Sequence, residues 1–353
     1  MDQWIQTWNK GDESVGTKEV TIIMPVYNGA AFLQRALNSV VDQSIGLDAW
    51  VLLAVNDGST DNSLKILQSY HERYPDNILV IDQQNRGAAR TRNESILKVE
   101  TEWLTFLDQD DYYDRNHLET LLTYPHLTEV DLVICGIKRV LDDGTVLRSV
   151  SPPRQAVGFG RWSTGYAWNR LCRTSYLIEK NVCFFDSLYG EGIYFSYVSN
   201  LAAGSRIAIL ATKTYNWVLN RESVSQIHYR LLTPESHRGF VAMIKQMVVA
   251  RRGYDPDVYA DYFLLSIMVY CMFLPRSRSM RSFAAYSRAM FAAVAPAGPA
   301  VTKNPLIFRK VDGLPIIDQY LVAFAVVAHT LHVLKFFIPI MRMVQKTKWY
   351  QQH

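Results

Sequence analysis

Four short apolar runs in the first third of the chain each end in a polar turn. Val20-Thr-Ile-Ile-Met-Pro-Val-Tyr27 breaks at Asn28-Gly29, and Ala31 to Val41 then sets Phe32, Ala36, Leu37 and Val40 on one side. Val51 to Val55 breaks at Asn56-Asp-Gly-Ser-Thr-Asp61, ahead of helical spacing from Leu64 to Tyr70. Ile78 to Ile81 precedes a helical stretch from Gly87 to Val99, and Trp103 to Leu107 runs directly into Asp108-Gln109-Asp110-Asp111. Short apolar runs bounded by turn formers read as buried strands. Asn, Asp, Ser and Thr at the turns are helix N-cap residues. Strand–helix alternation of this kind predicts an α/β fold, a mainly parallel sheet with helices on both faces.

Ligands of such sheets bind beyond the carboxyl ends of the strands. Asn28, Asn56-Asp57 and the segment from Asp108 to Asp111 all fall there, so residues far apart in sequence are expected to converge. Hard dications take carboxylate oxygens, and magnesium or manganese often bridges a few carboxylates to substrate phosphates. An Asp-x-Asp at a strand end is therefore a metal platform, although an acidic surface turn has the same composition.

Residues 131–140 and 206–218 read as further strands. From about residue 235 the pattern turns helical, and Ala295-Pro-Ala-Gly-Pro299 reads as a loop. Residues 227–353 carry 16 Lys and Arg against 6 Asp and Glu, whereas residues 1–226 carry 21 against 27. A basic C-terminal part points to an anionic partner: a membrane surface, a phosphorylated acceptor or nucleic acid. The four cysteines contain no C-x-x-C pair, which argues against a zinc site and for reduced thiols. The first residues lack a basic stretch followed by an apolar one, so a cytoplasmic protein is expected. Leu321 to Met341 is long enough to span a bilayer, but His329, Thr330, His332, Lys335 and Pro339 argue for a buried or interfacial helix.

Several segments together resemble the family-2 glycosyltransferases, which have the GT-A fold. These are Val20 to Asn28, Val55-Asn-Asp-Gly-Ser-Thr-Asp-Asn-Ser63, Asn85-Arg-Gly-Ala-Ala-Arg-Thr-Arg-Asn93 and Phe106-Leu-Asp-Gln-Asp-Asp111. Trp168-Asn-Arg-Leu171 and Tyr215-Asn-Trp217 with Ser223-Val-Ser225 look like later landmarks. Thr91 stands where the family usually has alanine. The resemblance implies a GT-A (Rossmann-like) domain over residues 20–230. Residues 1–19 are then an N-terminal extension, and 231–353 a helical C-terminal region that binds a membrane surface or the acceptor.

It also implies roles. Pro25 and Tyr27 would line the nucleobase pocket, and Asp57 would hydrogen-bond the base; capping of a helix is the other reading of Asp57. Gly87 and Arg92 would lie near the nucleotide. Asp108 would face the ribose or donor sugar, and Asp110 would coordinate Mn2+ or Mg2+ at the diphosphate. Asp111 would support this cluster or touch the sugar. The family usually places a Glu-Asp pair at the base position, with Asp as base; here Glu191 is followed by Gly192. Glu191 is the candidate base, with Asp186 second. His228 is a candidate metal ligand or a surface histidine, and Trp168 a sugar-stacking ring or a core residue.

The expected function is inverting transfer of a sugar from a nucleotide-diphosphate donor, a UDP-sugar, to a hydroxyl of a glycan or lipid-linked acceptor in cell-surface polysaccharide synthesis. The alternative is a non-catalytic nucleotide-sugar-binding partner of another transferase, motivated by Gly192. No nucleic-acid partner is expected on this reading. Lys335, Arg342, Lys346 and Lys348 interleave with apolar residues from Leu334 to Trp349, a pattern suited to an anionic membrane surface.

Overall fold

The computed structural model describes residues 3–4, 18–152, 161–162, 165–220, 233–273, 280–311 and 316–331. They fall into two compact units, one within residues 1–156 and 164–220 and one within 157–163 and 221–353.

Among the described residues the first unit carries a ten-stranded mixed sheet. Its strands are β1 (Gln3–Trp4), β2 (Val20–Val26), β3 (Trp50–Asp57), β4 (Ile78–Gln83), β5 (Trp103–Phe106), β6 (Tyr112–Tyr113), β7 (Leu132–Val140), β8 (Val146–Val150), β9 (Arg170–Arg173) and β10 (Ile207–Val218). The order is β1-β4-β3-β2-β5-β9-β7-β10-β6, with β8 paired to β7. The block β4-β3-β2-β5 is parallel, in register Val20↔Trp50, Leu52↔Ile78 and Val20↔Trp103. All residues of β2, β3 and β5 are buried, as continuous apolar runs in a covered parallel sheet require. The four expected N-terminal strands, and those at 131–140 and 206–218, are thus present. The helices fall in the expected places: α1 (Leu33–Val41), α2 (Ser63–Arg73) and α3 (Ala88–Ile96). The face that α1 buries is Leu33, Ala36, Leu37 and Val40, with Phe32 at the cap rather than on that face. Further helices are α4 (His117–Leu122), α5 (Thr174–Glu179) and α6 (Glu191–Ala203).

Sequence periodicity did not anticipate β9, which runs antiparallel between β5 and β7. Its first residue, Arg170, has no solvent exposure. The guanidinium is accommodated because it donates to Tyr166 O at 2.6 Å, Asn200 Oδ1 at 2.7 Å and Ser196 Oγ at 2.5 Å. A buried charge is tolerable only with such partners. Phe106, Phe184 and Phe195 pack beneath the ends of β5 and α6, with ring centroids 5.2, 5.4 and 4.2 Å apart.

The second unit is helical over the described residues, with helices at Pro234–Arg251, Val258–Phe273, Met280–Val294 and Ile316–Thr330. Thr233 caps the first of these by accepting from Ser236 N. Arg251 pairs with the buried Asp261 at 2.5 Å. Among the described residues no helix is long and apolar enough to cross a membrane. His228, the Ser223-Val-Ser225 landmark and the basic amphipathic segment beyond residue 331 lie outside the described residues.

Candidate active site

The polar turns at the carboxyl ends of β2, β3 and β5 meet, as the strand order requires. Asn28, at φ 49°, sits in the left-handed region that asparagine tolerates. Its Oδ1 accepts from Thr60 N at 2.8 Å, while its own N–H donates to Ser59 Oγ at 3.0 Å. Gly29 N donates to Ser63 Oγ at 2.9 Å and Ala30 N to Asp61 Oδ2 at 3.0 Å. These bonds knit the turn after β2 to the turn after β3. Pro25 is buried within β2, whereas Tyr27 leaves 46% of its surface exposed at the lip.

Asp57 ends β3 and is 2% exposed. Its Oδ1 accepts from Gln83 Nε2 and Arg86 N, and its Oδ2 from Gly87 N, all at 2.8 Å. The carboxylate thus fixes the loop that leads into α3, where Gly87 at φ 85° is the cap residue. Two of these bonds hold the loop and one the end of β4; neither α2 nor α3 has a side-chain cap. Of the about four acceptor positions of a carboxylate, three are thus used.

Arg92, on α3, is the hinge of the site. It is buried, and its Nη2 donates to Asp108 Oδ1 at 2.6 Å, while its Nη1 lies 3.9 Å from Glu191 Oε1. Phe184 lies beneath the guanidinium at 5.3 Å. Burial works against the Arg92 charge, but Asp108 and Glu191 outweigh it and hold its proton affinity above the ordinary value. Glu191 opens α6 behind Gly190, which adopts the left-handed conformation at φ 74°. Burial pushes the Glu191 carboxyl up; Arg92 opposes that and Asp108 adds to it. Asp186 is half exposed and paired with Arg90 at 2.7 Å. Asn93 holds the chain just before Asp186 by two hydrogen bonds to the Phe184 backbone: Nδ2 donates to its carbonyl at 2.9 Å, and Oδ1 accepts from its N–H at 2.7 Å.

The carboxylates of the acidic turn divide by environment. Asp111 is 1% exposed, and both its oxygens face β10: Oδ1 accepts from Val218 N and Oδ2 from Tyr215 Oη, each at 2.8 Å. It supports the turn from behind. Burial, Asp110 and Asp108 push its proton affinity well up. Asp110 accepts from Asn220 Nδ2 at 3.1 Å and is raised by burial and by Asp108. Trp168 is 8% exposed and stacks on Tyr215 at 4.1 Å and Tyr166 at 4.6 Å. It thereby packs against the ring whose hydroxyl donates to Asp111.

A hard dication suits this turn. Asp108 and Asp110 raise each other's local negative potential, and magnesium or manganese needs only one or two carboxylates when phosphate oxygens complete its shell. Among the described residues no group of three or more His, Cys, Asp or Glu forms a cage on its own. Gln109, Asn93 and Asn220 were not singled out from the sequence. Gln109 lay inside the acidic motif but read as its spacer.

Residues 21–186 match the family described as glycosyl transferase family 2. The minor teichoic acid biosynthesis protein GgaB of Bacillus subtilis is 35% identical over 121 residues, 34% of this chain and 13% of that protein. The poly(ribitol-phosphate) beta-N-acetylglucosaminyltransferase TarS of Staphylococcus aureus is 24% identical over 206 residues, 57% of this chain and 36% of that protein. The chain therefore spans well under two thirds of either relative. The crystal structure of S. aureus TarS 1–349 in complex with UDP-GlcNAc shares the fold at a TM-score of 0.71 and 18% identity, covering 90% of this chain and 91% of that one. With the motif turns converging at the carboxyl ends of β2, β3 and β5, the chain carries a GT-A-fold domain of glycosyl transferase family 2.

Proposed function

We propose that this chain transfers a sugar from a nucleotide-diphosphate donor, a UDP-sugar, to a hydroxyl of a glycan or lipid-linked acceptor in cell-surface polysaccharide synthesis, with inversion at the sugar carbon. The observation that carries the reading is the Arg92 bridge, which sets a raised carboxyl, Glu191, beside Asp108 at the strand ends. The likeness to relatives named for teichoic acid synthesis, and to a fold neighbour holding UDP-GlcNAc, supports the donor and acceptor classes.

In this reading the exposed ring of Tyr27 stacks on the base, Pro25 floors that pocket, and Asp57 with Gly87 holds the loop beside it. Asp108 faces the ribose or donor sugar, and Asp110 holds Mn2+ or Mg2+ at the diphosphate. When bound, the dication neutralises charge on the departing nucleoside diphosphate. Glu191 takes the proton of the acceptor hydroxyl as that oxygen bonds to the sugar carbon, and the carbon–oxygen bond to the diphosphate breaks. A base must be ionised yet proton-seeking near neutral pH, which burial promotes in Glu191. The excess of basic residues after 227 suits a peripheral position on an anionic membrane surface inside the cell.

Gly192 favours a second reading, donor binding without transfer. Both are tested by incubating the protein with a panel of nucleotide sugars, with and without manganese, and following nucleotide release and thermal stabilisation. Release with one donor supports transfer. Stabilisation without release under any acceptor supports the binding role, and neither response sinks both.

A further inference from the structure

We propose that Gln109 is a positioning residue that ties the nucleobase loop to the acidic turn, so that the two halves of the donor site act on one spanning ligand. The inference rests on the donor reading above. Gln109 Oε1 accepts from Tyr27 N at 2.9 Å, and Gln109 Nε2 donates to Tyr27 O at 3.0 Å. One side chain thus pairs with both polar groups of a single backbone unit, as a neighbouring strand would. Tyr27 carries the exposed ring at the lip, and Gln109 stands between Asp108 and Asp110. The loop's bonds to other side chains, from Asn28, Gly29 and Ala30, run to Ser59, Thr60, Asp61 and Ser63. Gln109 supplies its side-chain link to the acidic turn.

Gly29 adds a second, independent observation. Its φ is outside the left-handed region, so backbone conformation does not demand glycine there. A Cβ at Gly29 would lie 2.2 Å from Gln109 Oε1 and 2.5 Å from its Cδ, so a side chain there would push the Gln109 amide aside. The missing side chain at Gly29 is the room in which the Gln109 amide closes.

A ligand that reaches two half-sites at fixed spacing gains affinity because its second contact is intramolecular. Loosening the spacing removes that gain and leaves each half intact. Gln109→Met keeps the length of the side chain and removes both hydrogen bonds. Three probes separate the halves: uridine for the base side, manganese alone for the carboxylate side, and UDP with manganese for the span. The expected result is a loss of UDP affinity on the order of tenfold, with uridine and manganese affinities held. Gly29→Ala, which displaces the amide, should give the same pattern. The double variant should be no worse than either single one, because both act on the same contact. Equal losses for all three probes, unchanged UDP affinity in Gln109→Met, or additive effects of the two substitutions would overturn the role. Failure of the wild type to bind UDP would instead overturn the donor reading itself.

Discussion

Arg92 and Glu191 face each other at 3.9 Å, and the same guanidinium donates to Asp108 at 2.6 Å. One buried cation therefore serves two carboxylates that would otherwise repel. Its removal should raise the proton affinity of Glu191. Burial already raises that carboxyl, and Arg92 is the group that opposes the rise. Arg92→Met should move the acid limb of the pH–rate profile to higher pH, because the base must be ionised to work and holds its proton longer. Arg92→Lys, which keeps the charge, should leave the limb closer to that of the wild type. A pH–rate profile of the three proteins checks this; an unmoved limb in Arg92→Met means that Glu191 is not the titrating base.

Asp110 should be needed for metal and dispensable for folding. Its carboxyl is raised by burial and by Asp108, which outweigh the Asn220 bond and Arg35, so its ionised form is disfavoured in the folded protein without a cation. Asp110→Asn keeps an oxygen for the Asn220 amide and removes the charge. Manganese-dependent binding of UDP should disappear, and the melting temperature in the presence of chelator should hold or rise. Calorimetric titration with and without manganese is the check. Preserved manganese dependence would remove Asp110 from the metal site.

Asp111 predicts a stability effect with a definite sign. Its carboxyl titrates above its ordinary value because burial, Asp110 and Asp108 all disfavour the charge. The folded state thus binds a proton that the unfolded state releases, and this stabilisation is present at low pH and lost as pH rises through the raised value. Asn is a neutral stand-in for the protonated acid: its oxygen still accepts from Val218 N, and its amide can donate to the Tyr215 hydroxyl. The melting temperature of wild type minus that of Asp111→Asn should therefore fall as pH rises, measured in chelator. Asp111→Ala leaves the Val218 amide and the Tyr215 hydroxyl without this acceptor and should cost about 2–4 kcal/mol. A pH-independent difference between wild type and Asp111→Asn would contradict the assignment.

The parts of this fold that were legible are those whose signal is local. β2, β3 and β5 are buried throughout, so each reads as an apolar run closed by a polar turn. The strand β9 did not read as one because Arg170 and Arg173 bound it, and the burial of Arg170 depends on Asn200 and Ser196, 30 and 26 residues away. The acidic turn was conspicuous for its composition, but its division of labour was not. That Asp111 turns inward follows from its bonds to Tyr215 and Val218, more than 100 residues distant. Trp168 shows the same limit: its sequence position leaves a stacking platform and a core ring both open, and its packing on Tyr215 is not a local signal. The Gln109 pairing joins residues 82 positions apart, and no periodicity reports it.

The base is the point where this chain departs from its family's pattern, and Gly192 and Glu191 have to be tested together. A Cβ at Gly192 would meet Ala167 Cβ at 3.8 Å, an ordinary contact, so the position has room for a side chain. Glycine within a helix costs about 0.5–1 kcal/mol relative to alanine, and Gly192→Ala should therefore raise stability slightly. Packing does not require a glycine at this position. If Glu191 is the base, Glu191→Gln should slow transfer by about 10²–10⁴-fold. Donor affinity should barely change, because the glutamine keeps the shape and Asp110 is untouched. Gly192→Asp would then add a second carboxylate in the first turn of α6, raise the proton affinity of Glu191 further, and shift the acid limb to higher pH. If the base is instead missing, the wild type and Glu191→Gln should bind donor alike and transfer nothing, while Gly192→Asp should gain transfer. Initial rates and donor affinities of the four proteins, measured on the same preparations, decide between the two. A fully active Glu191→Gln protein would transfer the question to Asp186, which is half exposed and paired with Arg90.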